Sequence, residues 1–209
     1  MLSACELYER LYTFYGQPRW WSDDPFTVMF QAVLVQHTSW GSVEKTCAAI
    51  GEKLTPQTIA DLSPEELESL IRPCGFYKSK ARTIQTLVAW FQKYDFERRH
   101  VRKVSSSDLR KELLSIRGIG AETADVILVY AFYRPSFIVD AYTRRFLFRF
   151  GYHYSDDTAI KQFFEKSLPK DAQVYGWYHW LILEHCIAVC KKNPKCDCCC
   201  FQKECRQNL

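Results

Sequence analysis

Apolar residues recur at intervals of three and four through nearly the whole chain, and no stretch alternates as a paired strand requires. That one pattern restricts the fold to packed helices. The segment PFTVMFQAVL places Met29, Phe30, Val33 and Leu34 on one face, with Asp24 as a candidate N-cap and Pro25 at the first helical position. The segment SPEELESLI opens with Ser63 and Glu66 at capping-box spacing, again with proline first. KSKARTIQTLVAWF and ETADVILVYAF repeat the same period. The expected fold class is all-α, about ten helices joined by short loops. There is no low-complexity linker and no internal repeat. The 209 residues, 47% of them apolar, suffice for one large domain or two small ones with a real core.

The net charge of +4 permits a polyanionic partner without demanding one. No run of about 18 apolar residues exists, so no membrane span is expected. The opening MLSACELYERLYTFYG lacks the basic-then-apolar order of a signal peptide, and the expected location is cytoplasmic, or at the nucleoid in a prokaryote. Cys5, Cys47 and Cys74 sit among apolar neighbours and read as small core residues. The other seven of the ten cysteines fall between Cys186 and Cys205. In a reducing compartment such a cluster reads as a metal site rather than as disulfides.

In LSIRGIGAETAD two glycines flank Ile119, with helical sequence behind and ahead. Glycine tolerates positive φ and close backbone approach, so Gly118 and Gly120 make a narrow helix–hairpin–helix turn. Ile119 is expected to point back between the helices. The N–H groups at Gly120 and beyond then form a helix N-terminus suited to a phosphate, unless the turn is only a short connection.

The thirty residues after Ala121 make the motif specific. ETADVILVYAFYRPSFIVDAYTRRFLFRFG resembles the helix–hairpin–helix and aspartate signature of the endonuclease III superfamily of DNA glycosylases. LVQHTSW, GFYKSKA and YHWLILEH extend the resemblance over most of the chain. The resemblance implies that the hairpin grips a phosphate of double-stranded DNA and that Asp140 is catalytic. It implies that Gln36 fills the space left by an extruded base and that Phe76 is the apolar wedge. Lys78 and Lys80 come just after the wedge as candidate phosphate contacts, or as a solvated helix face. A base in a duplex must be flipped out before its glycosidic bond can be attacked, and plug and wedge offset that cost. A carboxylate at Asp140 would stabilise an oxocarbenium-like sugar and orient or deprotonate a water.

In the endonuclease III branch the second residue after the last hairpin glycine is a lysine nucleophile. Here it is Glu122, which cannot form an imine. Glu122 is either part of the catalytic set or a first-turn acid favoured by the helix dipole. The expected enzyme is therefore a monofunctional glycosylase that leaves an abasic site. GIGAETAD, RPCGFYKSKA and RWWSDDPF are together most similar to the 3-methyladenine DNA glycosylase III branch. That likeness implies alkylated purines as substrates, with Trp20, Trp21 and Trp40 available to stack an electron-poor base. The alternatives are an endonuclease III-like enzyme for oxidised, deaminated or mismatched pyrimidines, and a non-catalytic DNA-binding protein.

The run CKKNPKCDCCCFQKEC places five residues between Cys190 and Cys196, two between Cys196 and Cys199, and five between Cys199 and Cys205. The family loop has six, two and five, with a proline where Pro194 stands. The resemblance implies a 4Fe-4S cluster on Cys190, Cys196, Cys199 and Cys205, with four-thiolate zinc as the alternative. Cys186, Cys198 and Cys200 are supernumerary, and Cys198 or Cys200 could replace Cys199 in another register. The expected architecture is a monomer of two helical lobes. Residues 25–134 form a six-helix barrel with the hairpin. Residues 1–24 with 135–209 carry Asp140 and the iron–sulfur cluster loop, 186–205, and damaged DNA lies across the cleft.

Overall fold

A computed structural model describes residues 1–207. Twelve α-helices account for most of them, and no strand occurs among the described residues. The chain divides into two compact units, one formed by Met1–Trp20 with Pro135–Leu209 and the other by Trp21–Arg134.

The second unit contains α2 (Pro25–Leu34), α3 (Trp40–Ile50), α4 (Pro56–Asp61), α5 (Pro64–Ile71), α6 (Tyr77–Gln92), α7 (Arg98–Val101), α8 (Ser106–Ser115) and α9 (Ala121–Val126). Helix starts obey the sequence signals. Asp24 accepts the Thr27 N–H at 2.7 Å ahead of Pro25. Ser63 and Glu66 complete a reciprocal capping box. After α9 the backbone widens into a π-helical turn over Ile127–Ala131. This π segment and α9 pack against α2, whose Val28, Met29, Phe30, Val33 and Leu34 are buried. α6 closes the core with Ile84, Leu87, Val88 and Phe91. Each such side chain contributes about 1.5–3 kcal/mol on burial. Arg110 of α8 clamps Asp125 of α9 at 2.8 and 3.3 Å, joining the two helices that flank the hairpin.

The first unit contains α1 (Ala4–Tyr15), α10 (Ala141–Phe150), α11 (Asp157–Ser167) and α12 (Ala172–Ala188). α12 is apolar around most of its girth, as a helix enclosed by neighbours must be. Its Tyr178, Leu181 and Ile182 meet Leu7 and Leu11 of α1 and Phe146 and Phe150 of α10 in one core. Phe137 stacks on Phe164 with ring centroids 3.9 Å apart. Phe201, beyond α12, is buried in the same core and brings the cysteine-rich segment onto it.

Candidate functional site

The hairpin is built by exclusion. Gly118 has φ +95°, and a Cβ there would lie 2.1 Å from Thr83 Oγ1 of α6. Both facts require glycine. Thr83 donates its hydroxyl proton to Arg117 O at 3.0 Å or to Ser79 O at 3.1 Å, locking the turn onto α6. Ile119 is buried, and the turn closes through Ile119 N–H to Ile116 O at 3.0 Å. Gly120 is the N-cap of α9 and has no side chain to cap it. Gly120 itself has ordinary φ and open space around it. Glu122 is exposed in that first turn.

Gln36 lies just past α2 and joins the hairpin directly. Its Nε2 donates to Gly118 O at 3.1 Å and to Thr123 Oγ1 at 3.0 Å. Phe76 is 67% exposed ahead of α6, and Lys78 is exposed beside it. Lys80 departs from expectation. It is buried, and its ammonium donates to Leu34 O and Cys74 O, each at 2.8 Å. Burial pushes its pKa down. Residue 80 is a structural tie, not a phosphate contact. The helical register carries the signal for this: 80, 84, 87 and 91 share the inward face of α6.

Trp21 and Trp40 come together with ring centroids 5.3 Å apart at 77°, and Trp21 meets Tyr130 at 5.3 Å and 64°. Trp21 Nε1 donates to Gln31 Oε1 at 2.6 Å. These rings are edge-on to one another rather than parallel. Trp20 belongs to the other unit. Tyr130 and Gln31 carry no motif signal, because both sit inside regular apolar helical sequence.

Asp140 is the N-cap of α10, accepting the Thr143 N–H at 2.7 Å through Oδ1. Its Oδ2 lies 3.5 Å from His179 Nε2 of α12, and both side chains are buried. Burial alone would raise the carboxyl pKa. The hydrogen bond and charge of His179, with the Thr143 N–H, outweigh it and hold the pKa below its ordinary value. The result is a buried aspartate that stays ionised. His179 lies in the YHWLILEH segment, but only the fold reveals its pairing.

Cys190, Cys196, Cys199 and Cys205 line one cavity, together with Arg149, Val189 and Pro194. Arg149 of α10 donates to the carbonyls of Cys190, Lys191 and Lys192 and to Cys190 Sγ, and Arg145 donates to Cys186 O and Cys190 O. Two of the supernumerary cysteines have partners. The Cys186 thiol hydrogen-bonds Cys190 and, with Arg149 and against burial, brings the Cys190 pKa down. Cys200 does the same for Cys199, helped by His185. The donors Cys186 and Cys200 are correspondingly pushed up, first by the same hydrogen bonds. Cys190 and Cys199 are thus suited to be thiolates, while Cys198 is exposed. Among the described residues, no three His, Cys, Asp or Glu side chains stand close enough to share a single metal ion. No helix among them is long and apolar enough to cross a membrane.

Known proteins resemble this chain in sequence and in fold. A Methanocaldococcus jannaschii protein, provisionally named a DNA repair glycosylase, is 38% identical over 207 residues, covering 96% of this chain and 94% of its own length. Endonuclease III of Thermotoga maritima is 31% identical over 187 residues, covering 87% and 83%. Among solved structures, a trapped endonuclease III–DNA covalent intermediate superposes with a TM-score of 0.81 at 28% identity, over 99% of this chain and 97% of that one. The H. pylori 3-methyladenine DNA glycosylase bound to 1,N6-ethenoadenine gives 0.77 at 26%, over 88% and 97%. The family model for HhH-GPD superfamily base excision DNA repair proteins matches residues 30–170, from α2 through the glycine hairpin and Asp140 to the end of α11. With a hairpin that only glycine can form and a buried aspartate kept ionised behind it in sequence, the chain belongs to the HhH-GPD superfamily of base excision DNA repair proteins.

Proposed function

We propose that this protein is a monofunctional DNA glycosylase that hydrolyses the N-glycosidic bond of an alkylated purine, such as 3-methyladenine, and leaves the strand intact. One observation carries the monofunctional reading. The chain has no lysine between Lys111 and Lys161, and Glu122 occupies the first turn of α9. An imine requires an amine, so none can form from the hairpin or from α10. Water then displaces the base.

In this reading the first-turn N–H groups of α9 and the exposed Lys78 hold phosphates. Phe76 and Gln36 occupy the gap left by the flipped nucleotide, and the Trp21–Trp40 pair, backed by the buried Tyr130, receives the base. A positively charged alkylated purine suits such a ring-rich surface. Asp140 faces the sugar, where its charge stabilises the oxocarbenium ion and draws a proton from the attacking water. His179 and the Thr143 N–H keep that carboxylate ionised before substrate arrives.

The cysteine cavity fits a 4Fe-4S cluster on Cys190, Cys196, Cys199 and Cys205. All four thiols line one cavity, as the ligands of a cluster must, and four-thiolate zinc is the alternative. Such a cluster would cross-link the C-terminal loop and takes no part in base release.

A second reading has its own support. The Thermotoga maritima relative is named an endonuclease III, which favours a damaged pyrimidine as substrate. A panel of duplexes, each with one lesion, decides between them by which base is released. Wild-type enzyme should nick the strand only after heat or alkali, and borohydride should trap no covalent complex. Asp140→Asn should lower base release by at least about 1000-fold while lesion binding persists. A borohydride adduct would overturn the monofunctional reading, and full turnover by the variant would overturn the role of Asp140.

A further inference from the structure

Two loops of the second unit end in exposed rings that meet. His37 lies beyond the end of α2 and Phe76 precedes α6, and both are exposed. Both backbones are left-handed, at φ +53° and +47°. Residues with side chains seldom adopt that conformation, and it persists only where surrounding structure imposes it. The ring centroids lie 6.0 Å apart at 63°, an edge-to-face contact. An apolar ring held in water by a disfavoured backbone is not what collapse alone would produce.

The support beneath them is specific. Lys80 Nζ donates to Leu34 O, three residues before His37, and to Cys74 O, two residues before Phe76. One buried ammonium therefore ties the bases of both loops. Gln36, adjacent to His37, is fastened to the hairpin through Gly118 O and Thr123 Oγ1. The loop carrying His37 is anchored on one side to the hairpin and on the other to the loop carrying Phe76.

We propose that His37 and Phe76 act as one two-ring wedge on damaged duplex DNA, with buried Lys80 as the positioning residue that sets the spacing of their loops. This rests on the base-flipping reading of the enzyme and extends its wedge from one residue to a braced pair. The two rings stand edge to face, so they cannot both lie parallel to the same base. One ring presents its face to the opened stack while the other buttresses its edge. The imidazole also brings a hydrogen-bonding group that a phenyl ring lacks.

The test measures binding to two duplexes of one sequence. One carries a tetrahydrofuran abasic-site analogue opposite 2-aminopurine, and the other is intact. The affinity ratio reads wedge function, and 2-aminopurine fluorescence reads unstacking of the facing base. His37→Ala and Phe76→Ala should each lower the ratio by about tenfold, the scale of losing one stacked ring. The double variant should lose less than the product, because each ring depends on the other. Lys80→Met should lower the ratio in the wild-type background and have little further effect once both rings are gone.

A wild-type ratio for His37→Ala, or losses that simply multiply, would overturn the paired wedge. A Lys80→Met loss of equal size with and without the rings would remove its positioning role. If Lys80→Met does not fold, the two ring variants still decide the pairing. The outcomes separate from those of the glycosylase reading. Loss on Phe76→Ala alone defeats only this proposal. An intact ratio in a protein that releases no base from any lesion duplex defeats the catalytic reading and leaves the wedge standing.

Discussion

Asp140 shows how one residue can be a helix cap and a poised carboxylate together. The cap bond from the Thr143 N–H orients it, and His179 supplies the stabilisation that burial removes. Its lowered folded pKa means its stabilising contribution is complete above the unfolded carboxylate pKa, and is lost as pH falls through the lower folded value. His179→Ala reverses the sign. Burial then stands largely unopposed, the carboxyl pKa rises, and ionised Asp140 costs stability at neutral pH. The acid limb of base release should move toward neutrality in this variant, measured as rate against pH alongside thermal unfolding at the same pH values. An unmoved limb would show that His179 does not tune Asp140. At the hairpin, Gly118→Ala meets both a left-handed backbone and the Thr83 hydroxyl. It should destabilise by about 1–3 kcal/mol from backbone strain alone. Adding Thr83→Ala should recover the part due to the clash, read by urea unfolding.

At the scale of elements, the hairpin depends on the angle between α8 and α9, and Arg110 with Asp125 fixes it. Asp125 is buried while Arg110 is about one-third exposed. Arg110→Met should cost on the order of 2 kcal/mol, less than for a fully buried pair because water still reaches the guanidinium. Lesion-duplex affinity should fall with it, measured on folded protein. A variant with wild-type stability would show the pair to be incidental. Local signals of this kind are legible in the sequence where the physics is local. Asp24, Pro25, Ser63 and Glu66 announce their helices because caps act within one turn. Gly118 announces the hairpin because positive φ selects glycine. Lys80 misleads because a charge after a loop suggests solvent, and only the helical register places it inward. The π turn at Ile127–Ala131 has no sequence mark distinct from an apolar α-helix. The pairing of Cys186 with Cys190 and of Cys200 with Cys199 is local, but with seven cysteines between Cys186 and Cys205 spacing alone does not choose the pairs.

At the scale of the molecule, the first unit is assembled from both ends of the chain. α1 packs on α12, and Arg10 reaches from α1 to Glu204 at 2.7 Å and to Cys200 O at 3.4 Å. Tyr15, at the end of α1, hydrogen-bonds His185 at 2.9 Å. The loop that carries the cysteines is therefore held partly by the helix that begins the chain. A cluster on Cys190, Cys196, Cys199 and Cys205 would close only the short loops between its own ligands, and its effect would reach α1 through these contacts. The purified protein should be yellow-brown, with broad absorption near about 400 nm and about four irons per chain. Oxidative removal of the iron, or Cys199→Ser, should lower the unfolding temperature by roughly 10 °C, as a loss of a few kcal/mol would in a protein of this size. Hydrogen exchange should locate the damage. Protection should fall in α1, α10 and α12, whose contacts run through the loop, and should persist in α2, α6 and α9, whose core is their own. Equal loss in both units would show that the cluster stabilises the whole chain rather than the unit that binds it. A colourless protein with one zinc per chain would replace the cluster by a single ion.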